Sequence, residues 1–104
     1  MTRLAFARAA RGDLADIIAY IAMDSPSAAE TLFRGIIDAA QPLVRFPAMG
    51  RAGRIPGTRE LIVVGTSYML VYTVTTDAVV IVAVFHMARD LTRALAERRL
   101  DPTE

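Results

Sequence analysis

The run AVVIVAVF at residues 78–85 contains no polar side chain. A strand with one face in water alternates apolar and polar residues, whereas this run is apolar on both faces. We therefore expect a strand in the interior of a sheet, with protein packed against each of its two faces. The remainder of the chain has to provide these two covers.

An amphipathic helix is predicted upstream of this strand, between about residue 9 and residue 23. Its apolar side chains recur three and four residues apart, at Leu14, Ile17, Ile18 and Ile21. Such a stripe buries one face of a helix. Asp13 and Asp16 lie early in the segment, where the helix dipole favours carboxylates.

A second helix is predicted to begin in the segment DSPSAAE, where Ser25 is a good N-cap and Pro26 suits the first helical position. The apolar stripe that follows comprises Ala29, Leu32, Phe33, Ile36, Ile37, Ala40, Leu43 and Val44. Two helices joined by so short a turn should form an antiparallel hairpin, which would provide the first cover. Pro42 should distort the last turn because it lacks an N–H donor, and the helix should end by Phe46.

Three other runs have the pattern of strands: RLAFA at residues 3–7, ELIVV at 60–64 and YMLVYTV at 68–74. Hairpin-length connections predict that the last three strands form an antiparallel meander. Tyr68 and Tyr72 should share a face, with their rings in the core and their hydroxyls at its margin. The order predicts an α+β fold, β-α-α-β-β-β, in which an antiparallel sheet packs on an N-terminal helical hairpin. We expect a single domain over residues 1–104.

The last part of the chain, RDLTRALAERRL at residues 89–100, is predicted to be a short C-terminal helix or tail. Its apolar stripe is narrow, because Leu91 and Leu95 lie among four arginines. Two interpretations are open for the second cover of the 78–85 strand: this segment, or another protein.

Composition excludes several kinds of chemistry. The chain has no Cys, no Lys and one His, so a disulfide framework, a thiolate nucleophile and a His-rich metal site are excluded. Neither a Gly-Lys-Ser/Thr phosphate loop nor a dinucleotide fingerprint is present, and we expect no metal and no cofactor. The net charge of +1 argues against general nucleic-acid coating. Apolar runs are far shorter than the roughly 20 residues that span a bilayer, and no signal peptide is indicated, so we expect a cytoplasmic protein.

An Arg- and Gly-rich loop, FPAMGRAGRIPGTREL at residues 46–61, connects the helices to the meander. Four of the twelve arginines lie between Arg45 and Arg59, and no acidic residue accompanies them before Glu60. Loops often carry function, and guanidinium groups pair with carboxylates or phosphates. Two interpretations are open: a solvated connection, or a partner-binding surface. The partner-binding candidates are Arg51, Arg54, Arg59, Arg89 and Arg93.

His86 follows the last strand and is the one candidate for acid or base chemistry by a histidine. As a structural residue it would cap the core and bond a backbone carbonyl. If the start of the 60–64 strand lies near the end of the 78–85 strand, Arg59, His86 and Arg89 would meet at one end of the sheet. These three residues would then form an anion site.

Together these features resemble the RelE/ParE superfamily of toxins from type II toxin–antitoxin modules. The resemblance covers nearly the whole chain and rests on DLADIIAYIAMDSPSAAETLF, FPAMGR, REL, Y-x-x-x-Y and the closing H-x-A-R, in that order. It implies a compact toxin whose sheet carries the helical hairpin on one face. It also implies a cognate antitoxin, whose amphipathic C-terminal segment wraps the toxin in a hetero-oligomer.

The superfamily has two activities, and the residues bear on the choice between them. RelE-like members cut mRNA on the ribosome with basic residues and often a C-terminal Tyr or His, whereas ParE-like members poison DNA gyrase. The position after Tyr68, where ribosome-dependent members often carry Arg, is Met69 here, and the tail beyond Arg89 has no Tyr or His. The resemblance therefore implies ParE-like, non-enzymatic gyrase poisoning that inhibits growth.

Two alternatives stay open. The first is a RelE-like ribosome-dependent mRNA endonuclease, in which Arg59 and Arg89 hold the phosphate and His86 acts as acid or base. The second is a module that binds an antitoxin without being toxic.

Overall fold

The computed structural model of this protein describes residues 2–88 and 100–104. The helices are α1 (Arg8–Asp24) and α2 (Pro26–Ala40), and a 3₁₀ turn, Gln41–Val44, follows α2. The strands are β1 (Arg3–Phe6), β2 (Arg51–Ala52), β3 (Arg59–Ile62), β4 (Tyr68–Val74) and β5 (Ala78–His86). The predicted α+β class and element order are confirmed, and β2 is a two-residue addition inside the Arg- and Gly-rich loop. Within the described ranges, no helix has both the length and the apolar character needed to cross a membrane.

Local sequence signals account for the helix ends. The Ser25 hydroxyl accepts a hydrogen bond from the Ala28 amide at 3.2 Å, so the predicted N-cap is confirmed. Pro42 lies in the 3₁₀ turn that replaces the end of the helix, as its missing N–H requires. The expectation that the helix dipole favours Asp13 and Asp16 is wrong. Because α1 begins at Arg8, its first turn contains no acidic residue.

The five strands form one mixed sheet in the order β1-β5-β4-β3-β2. The pairs β3–β4 and β4–β5 are antiparallel, which confirms the predicted meander. The sheet differs from the expected antiparallel arrangement in one pair, because β1 runs parallel to β5, with Leu4 opposite Val79. The whole helical hairpin and the meander separate these two strands in the sequence. No turn between them sets their relative direction, so the local sequence did not reveal it.

Burial of β5 on both faces is confirmed, since every residue from Ala78 to Phe85 is buried. One face, with Val79, Ile81 and Val84, packs against the helices. The opposite face packs with side chains of β1 and β4 and with Ile55, Met87 and Leu100. Residues of this chain therefore contribute to both covers. The predicted C-terminal helix or tail lies outside the described residues except for Leu100.

A β-bulge interrupts the pairing of β4 with β5. Val71 lies opposite Ala83 and Tyr72 lies opposite Ile81, so Val82 is an extra residue on β5. Val82 and Ala83 both contribute to the core on the face away from the helices, and Val84 returns to the helix side. The bulge thus resets the alternation of the strand and places the next alternate residue, His86, on the helix side.

Residues 100–104 lie next to β1. Arg3 donates two hydrogen bonds to the Glu104 carboxylate, at 2.8 and 2.7 Å, and the Arg8 amide donates to the Thr103 carbonyl at 2.7 Å. Hydrogen bonding from Arg3 lowers the pKa of the Glu104 carboxyl, and the same contact raises the pKa of Arg3. These contacts bring the last described residues back to the first strand.

Candidate functional site

The arginine loop, defined here as residues 45–59, is held against the helix-side face of the sheet by two side chains. The buried Tyr72 hydroxyl donates to the Pro47 carbonyl at 2.7 Å and accepts from the Gly50 amide at 2.9 Å. Arg59 Nη1 donates to the Gly50 carbonyl at 2.7 Å. Gly50 leaves no room for a side chain, because a Cβ there would lie 2.6 Å from the Tyr72 hydroxyl oxygen. The Tyr72 ring is in the core as predicted, but its hydroxyl is enclosed by the loop.

A buried carboxylate holds the same loop from the other face. The Glu60 side chain is 1% exposed, and its Oε1 accepts from Arg51 Nη2 at 3.0 Å while its Oε2 accepts from the Arg54 amide at 2.9 Å. Because side chains alternate along a strand, Arg59 and Glu60 project to opposite faces of β3. The loop is therefore fixed from both sides, and Arg51, Arg54 and Arg59 all have partners within the chain. Their predicted role in partner binding stays a prediction.

The outer surface of the arginine loop is apolar and basic. Phe46 is 62% exposed and Met49 is 49% exposed. The side chains of Arg51 and Arg54 are 56% and 40% exposed, although both guanidinium groups lie near Glu60. Phe46 and Met49 belong to the FPAMGR motif, but neither was among the predicted partner-binding residues. Nothing in the apolar pattern distinguishes such exposed residues from core residues, so their exposure was missed.

A cavity of about 690 Å³, here called the His86 cavity, lies between α1 and the adjacent ends of β4 and β5. The Tyr68 and His86 rings meet edge to face, with their centroids 5.1 Å apart and an interplanar angle of 83°. His86 Nδ1 accepts from the Ala88 amide at 3.0 Å, so in the neutral ring the proton lies on Nε2. His86 therefore accepts from a backbone amide through Nδ1, where a bond to a carbonyl was expected.

The charged side chains that line the described part of the His86 cavity are both carboxylates, those of Asp13 and Asp16. Asp13 Oδ2 also accepts from the Val84 amide at 3.0 Å, which links α1 to β5 next to the bulge. Neither aspartate was predicted to lie near His86, because α1 and β5 are far apart in the sequence. In residues 2–88 and 100–104, no group of three or more His, Cys, Asp or Glu side chains is arranged to hold a metal ion.

Arg59 and His86 do not meet, so the condition on which the predicted anion site depended is not fulfilled. Arg59 lies opposite Tyr72, whereas His86 lies opposite Tyr68. Four residues along β4 and two strand spacings separate the positions, which is roughly 16 Å. The reason is topological: the first and third strands of a meander run in the same direction, so the start of β3 is level with the start of β5. Arg89 and Arg93 lie outside the described residues.

A second cavity of about 540 Å³, here called the hairpin groove, lies between α1, α2 and β1. Its apolar lining includes Phe6, Leu14, Ile18, Phe33 and Ile37, and Arg11 lies among them. Phe33 is 43% exposed. Phe33 and Ile37 were predicted to belong to the stripe that covers the sheet. In the structure both side chains line the groove, so α2 has a wider apolar surface than the sheet covers.

The fold is that of a solved toxin–antitoxin protein. A structure described as the chromosomal ParDE TA system from P. aeruginosa superposes with a TM-score of 0.74, over 83% of this chain and 96% of that chain, at 24% sequence identity. In sequence, the chain is 41% identical over 73 residues to "Putative toxin Y4kP" of Sinorhizobium fredii. That alignment covers 70% of this chain and 75% of the relative.

The family model described as ParE toxin of type II toxin–antitoxin system, parDE, matches residues 4–91. The chain belongs to this family of toxins. The resemblance inferred from the sequence, including its closeness to the ParE branch, is confirmed.

Proposed function

We propose that this chain is a toxin that stops bacterial growth by poisoning DNA gyrase in the cytoplasm, and that a cognate antitoxin neutralises it. The observation that carries the proposal is the ParE family match over residues 4–91. In the superfamily that the sequence resembles, the ParE-like branch poisons gyrase and the RelE-like branch cuts mRNA.

The charges around His86 support this choice. A nuclease has to hold a phosphate beside its acid or base, and guanidinium groups usually do so. In the described part of the His86 cavity the charged side chains are carboxylates, and no guanidinium group of residues 2–88 or 100–104 lines it. Arg59, which the nuclease alternative requires, lies roughly 16 Å from His86. A RelE-like nuclease site at His86 would therefore lack Arg59, one of its three candidate residues.

The hairpin groove supports the proposal of an antitoxin partner. The groove presents an apolar surface, with Phe33 and Ile37 on α2 and Leu14 and Ile18 on α1. An amphipathic helix or extended segment binds such a groove by inserting its apolar side chains. We place the C-terminal segment of the antitoxin here, in a toxin–antitoxin hetero-oligomer. Arg11 at the margin suits an acidic residue of that segment.

Two assays on the purified chain separate the proposed function from its alternatives. Under our proposal the chain inhibits supercoiling by gyrase and leaves ribosome-bound mRNA intact. Cleaved mRNA with unaffected supercoiling would establish the nuclease instead, and His86→Gln should then abolish cleavage. Under our proposal the same substitution leaves gyrase inhibition intact in protein that remains folded. Inactivity in both assays together with tight antitoxin binding would identify a non-toxic binding module.

A further inference from the structure

The arginine loop has the composition of a protein-binding hot spot. Its exposed apolar residues, Phe46 and Met49, lie three positions apart, with Arg45 and Arg51 on either side. Aromatic residues, Met and Arg are the types enriched in protein interfaces. Residues 41–59 contain four arginines and no acidic residue. Glu60 offsets part of the charge of Arg51 and Arg54, and the exposed guanidinium groups of Arg45 and Arg51 favour an acidic partner.

The conformation of the loop is fixed before any partner binds. The Tyr72 hydroxyl bonds to Pro47 and Gly50, and the Met49 amide donates to the Phe46 carbonyl at 3.0 Å. Glu60 holds the following residues from the other face of β3. A surface whose backbone is already ordered loses little conformational entropy on binding. Buried polar groups thus hold the side chains of Phe46 and Met49 largely in solvent, where they contribute little to the stability of the fold.

The arginine loop and the hairpin groove have no residue in common. The groove is lined by α1, α2 and Phe6 of β1, and none of residues 45–59 lines it. The loop starts after the 3₁₀ turn Gln41–Val44, which packs beside β1, and reaches the far edge of the sheet at β2. A segment seated in the groove therefore contacts other residues than Phe46 and Met49, so the two surfaces suit different partners.

We propose that Phe46 and Met49, flanked by Arg45 and Arg51, form the surface that docks the toxin onto its protein target. The matching surface is an apolar pocket surrounded by carboxylates. A protein is favoured over a nucleic acid because a phosphate backbone offers no pocket for Met49, and because Glu60 already neutralises part of the charge of Arg51 and Arg54. This inference rests on the proposed function in that it requires the chain to act on a protein.

The test compares Phe46→Ala/Met49→Ala with Met23→Ala. Met23 is 83% exposed on α1 and provides a control of the same residue type outside the loop. Each variant is assayed for growth arrest without antitoxin, for inhibition of gyrase, and for antitoxin affinity. The double variant should need about tenfold more protein, or more still, to inhibit the target. Its antitoxin Kd should stay within about threefold of that of the unsubstituted chain, since the groove is untouched.

A charge variant tests the chemistry of the partner. Arg45 is exposed, so Arg45→Glu should leave the fold intact and weaken inhibition several-fold at low salt. The difference from the unsubstituted chain should shrink as salt screens the contact. Melting curves for all variants should coincide, because the changed side chains are exposed.

Three results would overturn the inference. In the first, the double variant arrests growth as strongly as the unsubstituted chain. In the second, it loses antitoxin affinity about tenfold, which would assign the loop to the antitoxin. In the third, the chain binds DNA or RNA in a salt-sensitive way and Arg45→Glu abolishes that binding, which would make the loop a nucleic-acid surface. If the unsubstituted chain arrests growth but leaves gyrase unaffected, the gyrase proposal fails. The docking inference is then tested by growth arrest alone, by comparing the double variant with the unsubstituted chain. If the unsubstituted chain does not arrest growth, both the gyrase proposal and the docking inference are contradicted.

Discussion

Tyr72 shows how one polar atom determines the shape of a surface loop. Its ring is fully buried, and its hydroxyl is shared between the Pro47 carbonyl and the Gly50 amide. Tyr72→Phe keeps the ring and leaves both backbone groups without this partner. We expect a loss of about 1–3 kcal/mol in the free energy of unfolding, measured by urea denaturation. Faster hydrogen exchange at the Gly50 amide should accompany it.

The control for this substitution is Tyr20→Phe. Tyr20 is 76% exposed, so the loss of its hydroxyl should change the free energy of unfolding by less than about 0.5 kcal/mol. Equal effects of the two substitutions would mean that the Tyr72 hydroxyl contributes nothing specific to the loop.

Glu60 makes the corresponding contribution from the opposite face of β3. Its carboxylate is enclosed and accepts from Arg51 and from the Arg54 amide. Glu60→Gln keeps the shape of the side chain and removes its charge, so it weakens both contacts. Since Arg51 is half exposed and remains solvated, we expect a loss of about 1–3 kcal/mol.

Glu30→Gln provides the matched comparison for Glu60→Gln. Glu30 pairs with Arg34 one turn away on α2, and both side chains are exposed. Its substitution should cost less than about 0.5 kcal/mol in the same denaturation experiment. If Glu60→Gln is as mild as Glu30→Gln, the buried ion pair does not hold the loop.

Single-residue roles could be predicted only where neighbours in sequence determine them. Ser25 and Pro26 mark the start of α2 through local rules, and the structure agrees. The partners of Tyr72 lie 25 and 22 residues away, so they depend on the path of the loop. The separation of His86 from Arg59 follows from strand direction, because the first and third strands of the predicted meander run the same way. The sequence therefore implied this separation, whereas it did not reveal the partners of Tyr72.

Helices and strands were predicted more reliably, because the periodicity of apolar residues specifies them directly. The two-sided apolar run placed β5 in the interior of the sheet. The parallel pairing of β1 and the bulge at Val82 were missed, since neither has a signal in the residues that form it. The bulge determines the position of His86: it turns Val84 to the helix side and so places His86 beside Tyr68.

The helical hairpin supports a prediction about antitoxin binding. Phe33→Asp places a charge in the apolar hairpin groove, where an antitoxin side chain would have to bury it. Antitoxin affinity, measured by calorimetry, should fall about tenfold or more. Gyrase inhibition by the variant should persist, because none of residues 45–59 lines the groove.

Val64→Asp is the control for the groove. Val64 is 92% exposed in the turn between β3 and β4, and it does not line the groove. Its substitution should leave antitoxin affinity unchanged. Undiminished affinity of Phe33→Asp would place the antitoxin elsewhere on the molecule.

At the scale of the whole molecule, two surfaces of different chemistry have no residue in common. The hairpin groove is apolar, and the arginine loop is basic with exposed apolar residues. The family match, over residues 4–91, takes in both surfaces. Under the two proposals above, the antitoxin and the target contact different residues of this chain.

The most direct test of the central claim is the DNA product formed by purified gyrase in the presence of this chain. We predict that supercoiled product decreases as the chain is added, that linear DNA from trapped cleavage complexes accumulates, and that stoichiometric antitoxin restores supercoiling. Normal supercoiling with no linear DNA, from folded protein that still binds its antitoxin, would contradict the claim.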